Sequence, residues 1–156
     1  MAIDTFAKIG DIKGESLDSK HKDEVEVLSW SWGLSNQATN PGTGGGTGKA
    51  SFNDFHFTHV IDKASPQFMT VCATGQHIKD ATVTARKAGK GQQEYLIIKL
   101  NDVVITSVAL ASAGDPPTES VTLQFAKINL EYRPQKADGS LDAGVFFKYD
   151  IKGNKA

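Results

Sequence analysis

The sequence lacks most of the features that would assign a function directly. It has one cysteine in 156 residues, which excludes an internal disulfide and is compatible with a reducing compartment. Its 17 basic and 18 acidic residues are interleaved and leave a net charge of −1, so no electrostatic footprint for nucleic acid is present. No apolar run approaches the length of a membrane span, and we expect no membrane insertion. The N-terminus, MAIDTFAKIG, has no basic region followed by an apolar core, so we expect cytoplasmic synthesis and no Sec-type signal peptide.

Catalytic and metal-binding motifs are also missing. His56 and His59 fall on opposite faces of a predicted strand, which is poor geometry for a shared metal. No G-x-S-x-G elbow or HExxH motif occurs, and Cys72 is interpreted as a core or interface residue of a helix rather than a nucleophile. We therefore expect no catalytic residue, no metal site and no cofactor.

The most strongly patterned stretch is residues 24–34, EVEVLSWSWGL. Its period of two predicts a strand with Leu28, Trp30, Trp32 and Leu34 on a core face. The opposite face runs from valines into two small hydroxyls, Ser29 and Ser31. A face exposed to solvent is normally charged, and a core face is normally bulky. This face is therefore interpreted as a surface that contacts another molecule without binding it tightly.

Most other patterned stretches also predict strands: 5–12, 50–61, 81–86, 95–100, 103–108 and 145–151. The pair 95–100 and 103–108 is predicted to form a hairpin around Asn101-Asp102. In 121–132 the apolar residues occupy odd positions up to Phe125 and even positions from Ile128 onwards. This shift of one residue predicts a β-bulge near 126–127. The stretch 13–23, KGESLDSKHKD, is predicted to be a solvated loop.

One short helix is predicted, with Ser65 as its cap, Pro66 at its first position and Gly75 at its end. The sum is a mainly β fold with about eight strands, either a closed barrel or a two-sheet sandwich, as one domain over residues 1–156. Its predicted aromatic core comprises Trp30, Trp32, Phe55, Phe57, Phe68 and Phe125.

The segment 36–48, NQATNPGTGGGTG, is long and has nothing to bury. It fails as a phosphate-binding loop, because the required first glycine is Thr43, the residue after Gly48-Lys49 is Ala50, and a strand follows instead of a helix. A flexible loop is one interpretation. The one we favour is a loop that orders against a neighbouring subunit or ring, through Asn40, Pro41, Gly42, Thr43, Gly44, Gly45, Gly46, Thr47 and Gly48.

The predicted strands carry more apolar surface than one short helix can cover. The predicted strand 24–34, here called the tryptophan strand, and the predicted 95–108 hairpin both carry apolar or small side chains on both of their faces. Such faces are usually covered by another copy of the protein. Homo-oligomerisation with closed cyclic symmetry is therefore the leading physical inference. A monomer whose own loops cover these faces is the alternative.

Six segments, in this order and spacing, resemble the Hcp (haemolysin-coregulated protein) family of the bacterial type VI secretion system. They are KIGDIKGES at 8–16, VLSWSWG at 27–33, FTHVIDKASP at 57–66, ATVTARKAG at 81–89, EYLIIKLNDVVITSV at 94–108 and YRPQKADGS at 132–140. The resemblance implies a β-barrel with one flanking helix that assembles as a homohexameric ring. It also implies that rings stack into an inner tube, which a contractile sheath drives into a target cell.

The resemblance further implies a non-enzymatic protein that leaves the cell without a signal peptide. Its implied partners are other copies of itself, the spike and sheath proteins of the system and secreted effectors carried in the lumen. On this basis Ser29 and Ser31 are predicted to face the lumen, and the 95–108 hairpin and the flank of the helix are predicted to join subunits side to side. The chain stops soon after its last strand, so we expect no C-terminal toxin extension.

Two other classes of function stay open from the residues themselves. One is a β-barrel that binds a small ligand such as a carbohydrate, and the other is a hydrolase on a β scaffold.

Overall fold

The computed structural model describes residues 2–37, 49–87, 91–113 and 116–156. The chain forms eleven strands and one helix in these ranges: β1 Ile3–Ile9, β2 Val25–Glu26, β3 Ser29–Ser31, β4 Leu34–Asn36, β5 Ala50–Phe52, β6 Phe55–Val60, α1 Ser65–Thr74, β7 His77–Lys87, β8 Glu94–Ala111, β9 Thr118–Gln124, β10 Lys127–Tyr132 and β11 Val145–Asp150. The prediction of a mainly β fold with one short helix is confirmed. No helix in the described ranges is long and apolar enough to cross a membrane.

Nine of the strands form one antiparallel sheet, in the order β2-β1-β7-β8-β9-β6-β3, with β10 pairing β8 and β11 pairing β10. The sheet is not closed by an unbroken ladder, so a wrapped sandwich describes it better than a closed barrel. The two ends of the seven-strand path, β2 and β3, are joined by one segment of chain, residues 25–31, which pairs first with β1 and then with β6. The backbone N–H of Val27 donates to Thr5 and that of Leu28 donates to Thr58.

The change of partner in this segment corrects the prediction of one continuous tryptophan strand. Val25 is buried, but Leu28 is 62% exposed and Trp30 is half-buried. Two consecutive residues, Leu28 and Ser29, therefore both face outwards. The strict alternation of inward and outward side chains that the sequence predicts is interrupted at this point. Leu34, predicted to lie on the core face, is also exposed.

The predicted 95–108 hairpin is wrong. Residues 94–111 form the single 18-residue strand β8, which pairs with β7 along 94–104. Its other edge pairs with β10 up to Asn101 and with β9 from Val104 onwards. The turn-forming pair Asn101-Asp102 marks this change of partner, and Asp102 has a positive φ of 53°.

The predicted irregularity near 126–127 falls where β9 ends and β10 begins, opposite Asn101-Asp102. The pairs Val104↔Gln124 and Asn101↔Lys127 keep one register across the break. No residue is inserted, so the strand kinks rather than bulges. A register shift occurs instead between Ile105 and Ser107 of β8.

Helix α1 begins one residue earlier than predicted, at Ser65, the residue that the sequence predicts as its cap. Ala64 is the N-cap, and its N–H donates to the Asp62 carboxylate at 2.8 Å. Ser65 is the first helical residue, is buried and accepts a bond from the Asp62 N–H. Gly75 ends the helix in the left-handed region at φ 70°, as the sequence predicts.

The core is one cluster of buried apolar side chains between the sheet faces and α1. Phe55, Phe57, Phe68 and Phe125 are buried, whereas Trp30 and Trp32 pack against the cluster from its margin. Phe68 reaches from the helix to the edges of the Phe57 and His59 rings, at centroid distances of 6.3 and 5.8 Å. This contact fixes the helix on the sheet.

Phe68→Ala should lower the free energy of unfolding by about 3–5 kcal/mol, because it removes a fully buried aromatic ring and leaves a cavity. The measurement is urea unfolding at one fixed protein concentration. Gln67→Ala, at the adjacent exposed position, is the matched control and should change stability by less than about 0.5 kcal/mol. Equal losses in the two variants would contradict the placement of Phe68 in the core.

Candidate subunit interface

The described residues hold no group of three or more His, Cys, Asp or Glu side chains that could bind a metal ion. His56 is exposed, whereas His59 is buried on the opposite face of β6 and lies 2.7 Å from Oε1 of buried Glu119. Cys72 is half-buried against the core cluster. The features that distinguish this structure are therefore its surfaces.

Ser29 and Ser31 belong to a wide polar surface, here called the hydroxyl face. Cross-strand pairing aligns two rows of outward residues on β3, β6, β9 and β8: Ser29, Thr58, Ser120 and Ala109 in one row, and Ser31, His56, Thr122 and Ser107 in the other. Hydroxyl and imidazole groups are bonded along the rows, Ser29 to Thr58 at 2.6 Å and His56 to Thr122 at 2.9 Å. Neither row contains Lys, Arg, Asp or Glu.

The predicted contact loop, Asn40 to Gly48, lies outside the described residues. The strands that flank it, β4 and β5, pair through Leu34↔Phe52 and Asn36↔Ala50. Trp32 anchors this hairpin to the sheet: its Nε1–H donates to the Asn53 carbonyl at 2.9 Å, and its ring packs on Phe52, Phe125 and Phe147. The loop thus emerges from a base held by aromatic packing.

Exposed apolar side chains define a cleft beside β1 and β2. Ile3, Leu17 and Leu28 line it, together with the acidic residues Asp4 and Glu26. Its volume is about 380 Å³. Leu17 is 90% exposed and lines the cleft together with two further exposed apolar side chains, Ile3 and Leu28, so several exposed apolar residues meet at this site. We call this site the Leu17 cleft.

The loop that carries Leu17 is fastened to the sheet by a buried ion pair. Arg86 on β7 is 2% exposed, and its two terminal nitrogens donate to the two carboxylate oxygens of Asp18, one at 2.9 Å. Its guanidinium lies 4.8 Å from the centroid of the Phe6 ring. The hydrogen bond from Arg86 holds the pKa of Asp18 well below its ordinary value, and Asp18 in turn raises the pKa of Arg86.

His21 fastens the same loop at a second point. Its ring is stacked on Phe6 at 4.5 Å, and its two nitrogens lie 2.8 Å from carboxylate oxygens of Glu24 and Glu94. Gly14 is required nearby, because a Cβ there would lie 2.6 Å from the Glu24 carbonyl oxygen. The stretch 13–23, predicted to be a plain solvated loop, is thus firmly attached.

A second exposed apolar group lies on the edge strand β11. Val145 is 64% exposed and pairs with Tyr132 of β10, while Phe146, 52% exposed, lies on the opposite face of the same strand end. The ammonium of Lys148 lies 4.9 Å from the centroid of the Phe146 ring. We call Tyr132, Val145 and Phe146 the β11 patch.

The two apolar groups lie at opposite ends of one sheet. Strands β7, β8 and β10 separate β1 from β11, so four strand spacings, about 19 Å measured along the curved sheet, lie between these two strands. The apolar residues of 94–108 that were expected to seek a partner are mostly covered within the chain, by β10 and its neighbours. Sequence reasoning missed both groups, because Leu17 sits in a polar stretch and Phe146 is out of phase with its strand's core face.

Comparison with known proteins assigns the class. Residues 6–132 match the family model described as "Type VI secretion system effector, Hcp". Protein hcp1 of Pseudomonas aeruginosa is 48% identical, and the alignment covers 99% of this chain and 98% of that protein. These matches define a secreted structural protein of the type VI secretion system.

Solved structures agree with this class. Hcp1 from Salmonella typhimurium has a TM-score of 0.82 at 37% identity, over 99% of both chains. A type VI secretion system effector from Yersinia pestis has a TM-score of 0.78 at 38% identity, over 95% of this chain and 100% of that one. The chain belongs to the Hcp family, the tube proteins of the type VI system. None of these relatives supports the carbohydrate-binding alternative.

The Asp18–Arg86 pair should make stability depend on pH in the acid range. The pKa of Asp18 is lower in the folded chain than in the unfolded one, so the pair stabilises the fold above about pH 4, and this contribution is lost as the pH falls towards the folded-state pKa. Asp18→Asn removes the titrating group. The stability difference between wild type and Asp18→Asn should therefore shrink from pH 6 to pH 3 in urea unfolding, and a constant difference would contradict the role of this pair.

Proposed function

We propose that copies of this chain associate side to side into a closed ring of six. The observation that carries the proposal is the presence of two different exposed apolar groups, the Leu17 cleft and the β11 patch, at opposite ends of one sheet. A two-fold dimer uses one self-complementary surface, whereas a head-to-tail assembly joins two different surfaces and forms a ring when the rotation between copies closes. The ring size of six is the one implied by the family resemblance.

The hydroxyl face is proposed to line the lumen of this ring, with Ser29 and Ser31 on its surface. A wall without formal charge and without large apolar groups offers hydrogen bonds to many partners but no strong site for any one of them. Such a surface suits transient contact with secreted effector proteins. The chain is proposed to act in this way without catalytic activity.

Rings are proposed to stack into the inner tube, with the loop Asn40 to Gly48 reaching a neighbouring subunit or ring. The chain is made in the cytoplasm and exported by the type VI system itself. Its further partners are the spike and sheath proteins of that system. The anchored base of the β4–β5 hairpin supports this role, because it gives the loop a fixed point of departure.

The ring is tested by native mass spectrometry and negative-stain imaging of the purified wild-type chain. We expect a particle of six times the 16.7 kDa chain mass and ring-shaped images with a central opening. Compact single-chain particles at micromolar concentration would overturn the proposal.

The lumen assignment is tested with Ser31→Gln, which places a bulky side chain on the hydroxyl face. Rings should stay intact, and retention of an effector in a pull-down should fall. Ala137→Gln, at an exposed position in the turn between β10 and β11, is the control and should leave both properties unchanged. Loss of the ring in Ser31→Gln would remove Ser31 from the lumen.

A further inference from the structure

The exposure of Leu17 is imposed by the structure around it. Ser16 is buried, its N–H donates to the Glu24 carbonyl at 3.0 Å and its carbonyl accepts from the Asp23 N–H at 2.9 Å. Asp18, on the other side of Leu17, is held by Arg86. Because both neighbours are fixed, the Leu17 side chain cannot turn inwards.

Forming the Asp18–Arg86 ion pair that fixes this loop requires desolvation free energy, because Arg86 is buried. Burying a guanidinium is unfavourable unless its donors are paired, and an apolar residue in the same place is often at least as stabilising. Arg86 and Asp18 also line the Leu17 cleft themselves. The pair therefore shapes this cleft directly.

The Leu17 cleft and the β11 patch are complementary in chemistry. The cleft is lined by the exposed apolar side chains Ile3, Leu17 and Leu28 and also by the acidic residues Asp4 and Glu26. On β11, Phe146 is exposed beside the ammonium of Lys148. An aromatic ring with an adjacent cation complements a cleft that combines apolar side chains with carboxylates.

We propose that Arg86 and Asp18 are positioning residues, which hold Leu17 so that the Leu17 cleft receives Phe146 of the neighbouring copy. Lys148 of that copy then faces Glu26. This inference rests on the proposed ring and names the contact that closes it. The edge strand β11, unpaired on its outer side among the described strands, is thereby covered in the assembly.

The first test measures the protein concentration at which rings dissociate, by native mass spectrometry on a dilution series. Leu17→Ala and Phe146→Ala should each raise this midpoint by about tenfold or more, as expected for the anchors of an interface. Leu110→Ala, an exposed leucine outside both groups, is the control and should leave the midpoint unchanged. Wild-type midpoints in both anchor variants would overturn the proposal while leaving the ring itself standing.

The positioning role is tested by a double-mutant cycle. If Asp18→Asn acts through Leu17, the double variant Asp18→Asn with Leu17→Ala should dissociate at the same concentration as Leu17→Ala alone. Asp18→Asn with Leu110→Ala should show only the Asp18→Asn effect. An additive effect of Asp18→Asn and Leu17→Ala would show a merely structural role and overturn the assignment. Circular dichroism checks that each variant remains folded.

The charge contact is tested by exchange. Lys148→Glu and Glu26→Lys should each weaken the ring, and the two changes in one chain should restore it, because every contact then again joins opposite charges. Lys152→Glu, just beyond β11, is the control and should have no effect. Failure of the exchanged chain to recover would overturn the pairing of Lys148 with Glu26. A wild-type chain that is monomeric would instead overturn the proposed function.

Discussion

The fold depends on the long strand β8, because it is the only described strand that pairs with three others. One edge of β8 pairs with β7, while the other edge pairs with β10 and then with β9. Asn101-Asp102 allows the change of partner, since Asp102 takes a positive φ and the opposing chain kinks at 125–126. The sheet can therefore wrap around its core without a break in β8, and this wrapping sets which surfaces face outwards.

Wrapping also brings the ends of the sheet together. Residues 25–31 change partner from β1 to β6, and this change exposes Leu28 and places Ser29 and Ser31 on the outer side of the sheet. The hydroxyl face and the Leu17 cleft are thus both consequences of one short segment. The loop over β1 adds Leu17 to that cleft, fastened by Asp18 to Arg86 and by His21 to Glu94. A surface for a neighbouring copy is in this way built from residues far apart in the sequence.

The same buried ion pair illustrates how stability and assembly are linked. An arginine at this depth needs its carboxylate partner, and that partner is supplied by a loop with little apolar contact of its own. The loop therefore owes its geometry mainly to charge and hydrogen bonding rather than to packing. The exposed Leu17 next to this ion pair adds little to the stability of a single copy. It is better explained by a contact between copies.

The sequence by itself determined the strand-rich class, the helix with its terminal Gly75 and the family; it located an irregularity near residue 126 but predicted a bulge where the structure has a kink. The strands follow from local periodicity, and the helix end follows from glycine's access to the left-handed region. The family follows from six characteristic segments that occur in the expected order and spacing. The sequence also predicted burial of Phe55, Phe57, Phe68 and Phe125, because their strands and helix keep a regular phase.

Only the tertiary structure decided the rest. A turn-forming pair such as Asn101-Asp102 suits a hairpin and a kink equally well, and the choice depends on which strands lie alongside. The burial of Arg86, the outward turn of Leu28 and the anchoring of the 13–23 loop likewise depend on partners up to 73 residues away. Contacts between residues so distant produce no periodic pattern in the sequence. They form only when the wrapped sheet brings these residues together.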